Sequence, residues 1–168
     1  NFGKVNLGKT KDTLETLVVN VSDKDITIDS VRSIGPDIAQ FSFIDFGEFT
    51  LKPEESKKIT VSFNPQTIGK TSGQLAFYFD SPLSPVRANL FGEGTAPKAE
   101  FYSNKELDIV CFPEDHYFSI DIKNTGKGQL EIFNYSFTGE NAGAFKVLSP
   151  ADTTYVEPDE QTTLQLFF

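Results

Sequence analysis

The feature that most constrains this chain is that it repeats itself. LVVNVSDKDITI (17–28) aligns with DIKNTGKGQLEI (121–132), placing Asn124 on Asn20, and Leu130 and Ile132 on Ile26 and Ile28, at an offset of 104. TLKPEESKKITVSF (50–63) aligns with YVEPDEQTTLQLFF (155–168), placing Pro158 on Pro53 and Phe168 on Phe63, at an offset of 105. One residue is therefore inserted between the two blocks. Similarity sustained at one spacing marks copies of a single structural unit, and 168 residues are enough for two small domains.

The unit reads as all-β. Apolar residues do not recur at helical spacing over any long window. Short alternating runs are bounded by Gly, Pro, Asn and Asp. In the first copy the pattern predicts strands near 4–7, 12–21, 26–32, 40–44, 57–63, 72–79 and 85–92. Turn signals at 22–25, 35–37, 52–55, 64–65 and 81–82 separate them. The 17 phenylalanines, with no Trp or Met, suit half-buried strands. Seven short strands in about 95 residues match an immunoglobulin-like β-sandwich. The expected organisation is a complete sandwich over 1–97 and a second over 98–168, joined by GEGTAPKA (92–99). The second lacks counterparts of Leu75-Ala76-Phe77 and Ala88-Asn89-Leu90, so its last two strands are expected to be missing.

The repeat also sets side-chain facing, because strand residues alternate with period two. In the second copy Phe118, Ile120 and Ile122 alternate with Tyr117, Ser119 and Asp121. The first set points inward, and by transfer so do Leu14, Thr16 and Val18. The same phase buries Ile59, Val61 and Phe63 with Leu164, Leu166 and Phe168. Later in the first copy, Leu75, Phe77, Phe79, Val86, Ala88 and Leu90 are expected inside. Leu17, Val19 and Phe167 then face outward, joined by Tyr78 and Phe91. These five are the candidate protein-contact residues, since a clustered apolar patch on a sandwich face marks an interface.

No motif supports catalysis or a cofactor. Gly126-Lys127-Gly128 has the look of a phosphate loop, but it lies between two strands, and the first copy has Ser22-Asp23-Lys24 there. A position that accepts Asp23 is not built for an anion. Cys111 and His116 are the only Cys and His, and with Glu114 and Asp115 they fall in one short segment around Pro113. A strand end with an acidic turn explains them, and no metal site is expected. Glu54-Glu55, Glu114-Asp115 and Asp159-Glu160 are adjacent pairs that cannot face each other across a cleft. Asp23-Lys24-Asp25 has calcium-like alternation that the second copy does not keep. Asn20 and Asn124, inward at a strand end, read as amides that bond loop backbone. Pro82-Leu83-Ser84-Pro85 reads as a connecting loop, and two sequons, at Asn20 and Asn134, are weak signals.

Charge narrows the partners. The net charge of −9 argues against nucleic acid, and it is uneven: 10 basic against 12 acidic residues over 1–97, or −2, and 5 against 12 over 98–168, or −7. A single cysteine excludes an internal disulfide. No apolar run reaches the roughly 20 residues that span a bilayer.

The Phe2-Gly3 opening, Asn20 ending a strand, Pro53-Glu54 before an alternating strand closing on Phe63-Asn64-Pro65, and Leu90 followed by Gly92-Glu93-Gly94 together resemble the ASH (abnormal spindle and Hydin) domain family. They also resemble the related bacterial choice-of-anchor D repeats. The likeness covers 1–97 closely and 98–168 loosely, where SNKELDIVCF replaces the Phe-Gly opening. It implies tandem immunoglobulin-like (PapD-like) sandwiches without enzymatic activity, acting as interaction or spacer modules. The function expected is a non-catalytic module of a larger multi-repeat protein at a bacterial surface or secreted. It would contact protein through a sheet face or strand edge, with no small-molecule substrate. The alternatives are a ciliary or centrosomal scaffold and a carbohydrate-binding module; the absence of Trp argues against the latter.

Overall fold

A computed structural model describes residues 1–12, 16–44, 47–103, 116–150 and 152–168. The chain divides into two compact units, Asn1–Thr95 and Ala96–Phe168. Among the described residues there is no α-helix, only strands and two single 3-10 turns at Ile38–Gln40 and Ala142–Ala144.

The first unit contains β1 (Lys4–Asn6), β2 (Lys11–Asp12), β3 (Thr16–Val19), β4 (Ile26–Ile34), β5 (Phe41–Phe43), β6 (Phe49–Leu51), β7 (Ser56–Ile59), β8 (Val61–Phe63), β9 (Gly69–Phe79) and β10 (Val86–Thr95). One sheet has the order β1-β10-β9-β4-β6. Against it stand β2-β8-β5 and β3-β7. In these two small sheets Lys11 and Asp12 pair with Phe63 and Ser62, and Thr16 pairs with Ile59. The expected strand 57–63 is thus two strands interrupted at Thr60.

The core forms where the two layers face each other. Ile59, Val61 and Phe63 are fully buried, packed with Phe2, Val5, Ile28, Val31, Phe41, Leu75, Phe77 and Leu90. Val18 packs against this cluster, as its phase requires. Leu14 lies outside the described residues, and the side chains of Thr16 and Leu17 are likewise not described. Three rings, Phe2, Phe41 and Phe63, meet at centroid distances of 4.9–5.6 Å. The Phe2 opening is therefore a core plug that closes one end of the sandwich. Burying one such ring contributes roughly 1.5–3 kcal/mol.

Two expectations fail here. Val86 is 52% exposed, because it sits at the first position of β10, beside the loop from β9. Residues 92–95 are not linker. β10 continues through them, antiparallel to Gly69–Thr71 and parallel to β1. The glycines of Gly-x-Gly have a packing reason: a Cβ on Gly92 would overlap the Phe63 ring. Only 96–98 separate β10 from the next strand.

The second unit contains β11 (Ala99–Ser103), β12 (Tyr117–Asn124), β13 (Leu130–Ile132), β14 (Lys146–Ser149), β15 (Thr154–Val156) and β16 (Gln161–Phe167), in sheets β11-β12-β16-β14 and β13-β15. Its pairings reproduce those of the first unit at the repeat offsets. Ile120 pairs with Leu164 as Thr16 pairs with Ile59, and Val147 with Leu166 as Phe43 with Val61. Leu130 pairs with Val156 as Ile26 with Leu51. Phe145 meets Phe168 at 4.7 Å as Phe41 meets Phe63 at 4.9 Å. The inserted residue falls between Phe145 and Val156, where a register shift at Val147–Ser149 absorbs it. Ile122, Leu164 and Leu166 are the buried core, with Phe118 and Ile120 partly buried against it.

Candidate protein-contact site

The residues that looked most like chemistry are engaged in building turns. Asn124 is fully buried. Its Nδ2 donates to the carbonyls of Gly128 (2.7 Å) and Val156 (2.9 Å), and its Oδ1 accepts the amides of Gly126 (3.0 Å) and Lys98 (3.2 Å). Asn20 repeats the arrangement. Its Nδ2 donates to Lys24 (2.7 Å) and Leu51 (2.9 Å), and its Oδ1 accepts from the Ser22 amide (2.9 Å). Every partner shared by the two copies obeys the 104 or 105 offset. A buried amide satisfied on both sides holds a strand end to a turn and to a neighbouring strand.

The Gly126-Lys127-Gly128 loop is closed to an anion for the same reason. The amides of Lys127 and Gly128 already donate to the Ala96 carbonyl (3.1 and 3.0 Å), and Asn124 takes the Gly126 amide. A Cβ on Gly126 would overlap Ala96 and Lys98, so the glycine is needed for the 96–98 segment to lie against the turn.

Cys111, Glu114 and Asp115 lie outside the described residues. His116 exchanges backbone hydrogen bonds with Phe168 (3.1 and 3.0 Å). Asp23, Lys24 and Asp25 are exposed. Among the described residues no three His, Cys, Asp or Glu side chains converge on a metal position. Among the described residues no helix is long and apolar enough to cross a membrane.

The contact candidates divide among three surfaces. Val19 is 43% exposed on β3, and the backbone of Leu17 pairs with Lys58 on the same ladder. Phe167 belongs to the second unit, where it is half-buried against the ring of its cross-strand neighbour Tyr117 at 5.5 Å. Tyr78 and Phe91 share the outer face of the five-stranded sheet. Phe91 is 50% exposed, opposite Ser72, and Tyr78 is half-buried beneath Arg32, whose guanidinium lies 5.4 Å from the ring centroid.

That face carries two residues the sequence reading did not single out. Arg32 and Arg87 are the only arginines in the chain. Both are exposed, and both are cross-strand partners of Ala76, one on each side. Ala76 is completely buried although it is on the outer face, flanked by the two long stems. Gln74 donates to Asn89 across the same pair of strands (2.8 Å). Arg87 was placeable from the Val86–Leu90 alternation. Arg32 was not, because a register shift between Ile28 and Ser30 reverses the phase of β4.

Among the described residues Glu100 is the one carboxylate with a large resolved shift. Hydrogen bonds from Lys98, Tyr102 and Thr125 hold it down to about 2, with the Lys98 charge reinforcing them. This ties the start of β11 to the Asn124 turn.

Residues 1–93 match the family model described as HYDIN/CFA65/VesB-like, Ig-like domain. No curated protein sequence matches the chain. Similar solved structures include the secreted serine protease VesC from Vibrio cholerae, at 11% identity and a TM-score of 0.45 over 98% of this chain and 44% of that one. The chain thus spans less than half the length of VesC. The CsuC–CsuE chaperone and tip adhesion subunit complex of Acinetobacter baumannii matches at 12% and 0.32 over 96% and 82%. The CupB2 chaperone of Pseudomonas aeruginosa matches at 10% and 0.36 over 96% and 84%. With a model match over more than half its length, its Phe-Gly plug and its Gly-x-Gly closure, this chain belongs to the HYDIN/CFA65/VesB-like Ig-like domain family.

Proposed function

We propose that the chain is a non-catalytic interaction and spacer module of a larger multi-repeat protein, cell-surface or secreted in a bacterium. It contacts protein partners through the outer face of the β1-β10-β9-β4-β6 sheet. The observation that carries this reading is the grouping of Arg32, Arg87, Tyr78 and Phe91 on one sheet face. Tyr and Arg are the residues over-represented where binding energy concentrates, and they share this sheet face with an exposed phenylalanine. Among the described residues neither guanidinium has a carboxylate partner, so both are available to an acidic one. Buried, hydrogen-bonded asparagines at the turns support a stiff body suited to spacing.

The test is a photo-crosslinking amino acid placed at Phe91 or, as a control, at Val21, which is 91% exposed on the Asn20 turn. In the native host, site 91 should yield defined protein adducts that site 21 does not. The double variant Arg32→Glu/Arg87→Glu should abolish them while leaving the fold intact by circular dichroism. Equal labelling from both sites, or adducts indifferent to the charge reversal, would remove this face as the contact surface.

A further inference from the structure

The corresponding sheets of the two units carry opposite charge on their outer faces. In the first unit, β1, β10, β9 and β4 turn Lys4, Arg32, Lys70 and Arg87 outward. Glu93 shares the face and Asp29 is exposed at the β4 bulge, which leaves four basic against two acidic side chains, or +2. Residues 1–97 carry 10 basic and 12 acidic residues, and the whole chain is at −9, so this face is a basic island in an acidic protein. Arg32 and Arg87 flank β9 on one row, about 10 Å apart at the backbone, or two strand spacings.

In the second unit the matching strands are β13 and β15. Val156 is buried, and Leu130 and Ile132 pack on the core. Glu131 and its cross-strand partner Tyr155 therefore face outward, and Tyr155 is 59% exposed. Glu157 continues that row and accepts a hydrogen bond from Gln129. Glu131 and Glu157 stand one strand across and two residues along, about 8 Å apart at the backbone. Their counterparts in the first unit are Thr27 and Lys52, and that of Tyr155 is Thr50, which shares a hydrogen bond with Thr27 (2.8 Å). The strands and their turns, 125–132 and 154–160, hold Glu131, Glu157, Asp159 and Glu160 against Lys127, or −3. The repeat has kept the pairing here and replaced a neutral and basic row by two carboxylates and a tyrosine.

We infer that the Arg32–Arg87 face of one copy docks on the Glu131–Tyr155–Glu157 face of a second copy of this chain. The inference rests on the sheet face proposed above as the contact surface, and it names the partner. Charge complementarity carries it: the chain's two arginines lie on the basic face, and the acidic row has the spacing to give each guanidinium one carboxylate. The exposed Tyr155 ring supplies a surface on which a guanidinium plane stacks. The two faces are different patches, so the contact is heterologous, and copies add head to tail rather than as an isologous pair.

Sedimentation velocity of the 168-residue chain tests this. Its weight-average mass should rise with concentration up to about 1 mM in low salt, and the association constant should fall at least about tenfold between about 50 and about 500 mM NaCl. Arg32→Glu/Arg87→Glu and Glu131→Arg/Glu157→Arg should each sediment as monomers. An equimolar mixture of the two variants should associate again, because each then offers the other a complementary face; damage to the fold would not be rescued in this way. A chain that stays monomeric throughout, or single-face variants that associate like the parent, would overturn the second copy as occupant. Crosslinking at site 91 reads the face and sedimentation reads its occupant. Defined adducts at site 91 from a chain that remains monomeric would therefore overturn this inference and leave the contact face standing.

Discussion

Asn124→Ala is the substitution from which the structure predicts most. The side chain is inaccessible to solvent and makes four hydrogen bonds, to Lys98, Gly126, Gly128 and Val156. Alanine leaves all four backbone groups without it. Gly126 and Lys98 lie close enough to the surface for water to replace the amide, but Gly128 and Val156 are buried. Two stranded buried carbonyls cost about 1–2 kcal/mol each, and the truncation leaves a small void, for a total of about 3 kcal/mol. In a unit of this size that lowers Tm by about 12–24 °C. Guanidinium unfolding followed by residue-resolved amide exchange is the assay, with protection falling first across Tyr117–Asn124 and Leu130–Ile132. Asn124→Asp separates bonding from packing, because it keeps the volume but sets a carboxylate oxygen against two carbonyls, and it should destabilise at pH 7 at least as much. A loss below about 0.5 kcal/mol for Asn124→Ala would refute the reasoning, since the turn would then hold without its amide.

Three further predictions follow from close contacts and charge. Gly92→Ala drives a Cβ into the Phe63 ring and should cost about 2–3 kcal/mol by chemical denaturation, whereas Glu93→Ala beside it should be nearly neutral. Gly126→Ala should cost about 2 kcal/mol and speed exchange at Lys127 and Gly128, whose shared acceptor on Ala96 is displaced. NMR titration should place the Glu100 carboxyl near 2, below its ordinary 4.5. A depressed carboxylate stabilises the fold above its ordinary value, and that contribution fades as pH falls from about 4.5 towards 2; Lys98→Ala should return the midpoint upward.

Facing was legible in the chain because the repeat supplied a second reading of the aligned strands. Val18 is ambiguous among apolar neighbours, and Ile122, its counterpart, is not. What escaped was either short or out of phase. Phe49–Leu51 and Thr154–Val156 are three-residue edge strands, too brief to display a period. The bulge after Ile28 turned Arg32 outward against the alternation set by Ile26 and Ile28, so half of the arginine pair was hidden. Gly92-Glu93-Gly94 read as linker because glycine usually marks a loop, whereas here it marks a strand against which an aromatic ring is pressed. The Phe-Gly opening was recognisable as a pattern, but its meaning, a ring closing the core, required the packing of Phe2 on Phe41 and Phe63.

The most direct measurement of the central claim, that both units follow one plan but 133–138, unlike their counterparts 29–34, have no strand partner among the described residues, is amide exchange compared across the repeat. Residues 29–34, paired with β9, should exchange slowly, while 133–138 exchange close to the rate of an unstructured chain even though Asn20 and Asn124 stay equally protected. Equal protection of 29–34 and 133–138 in this chain would contradict it.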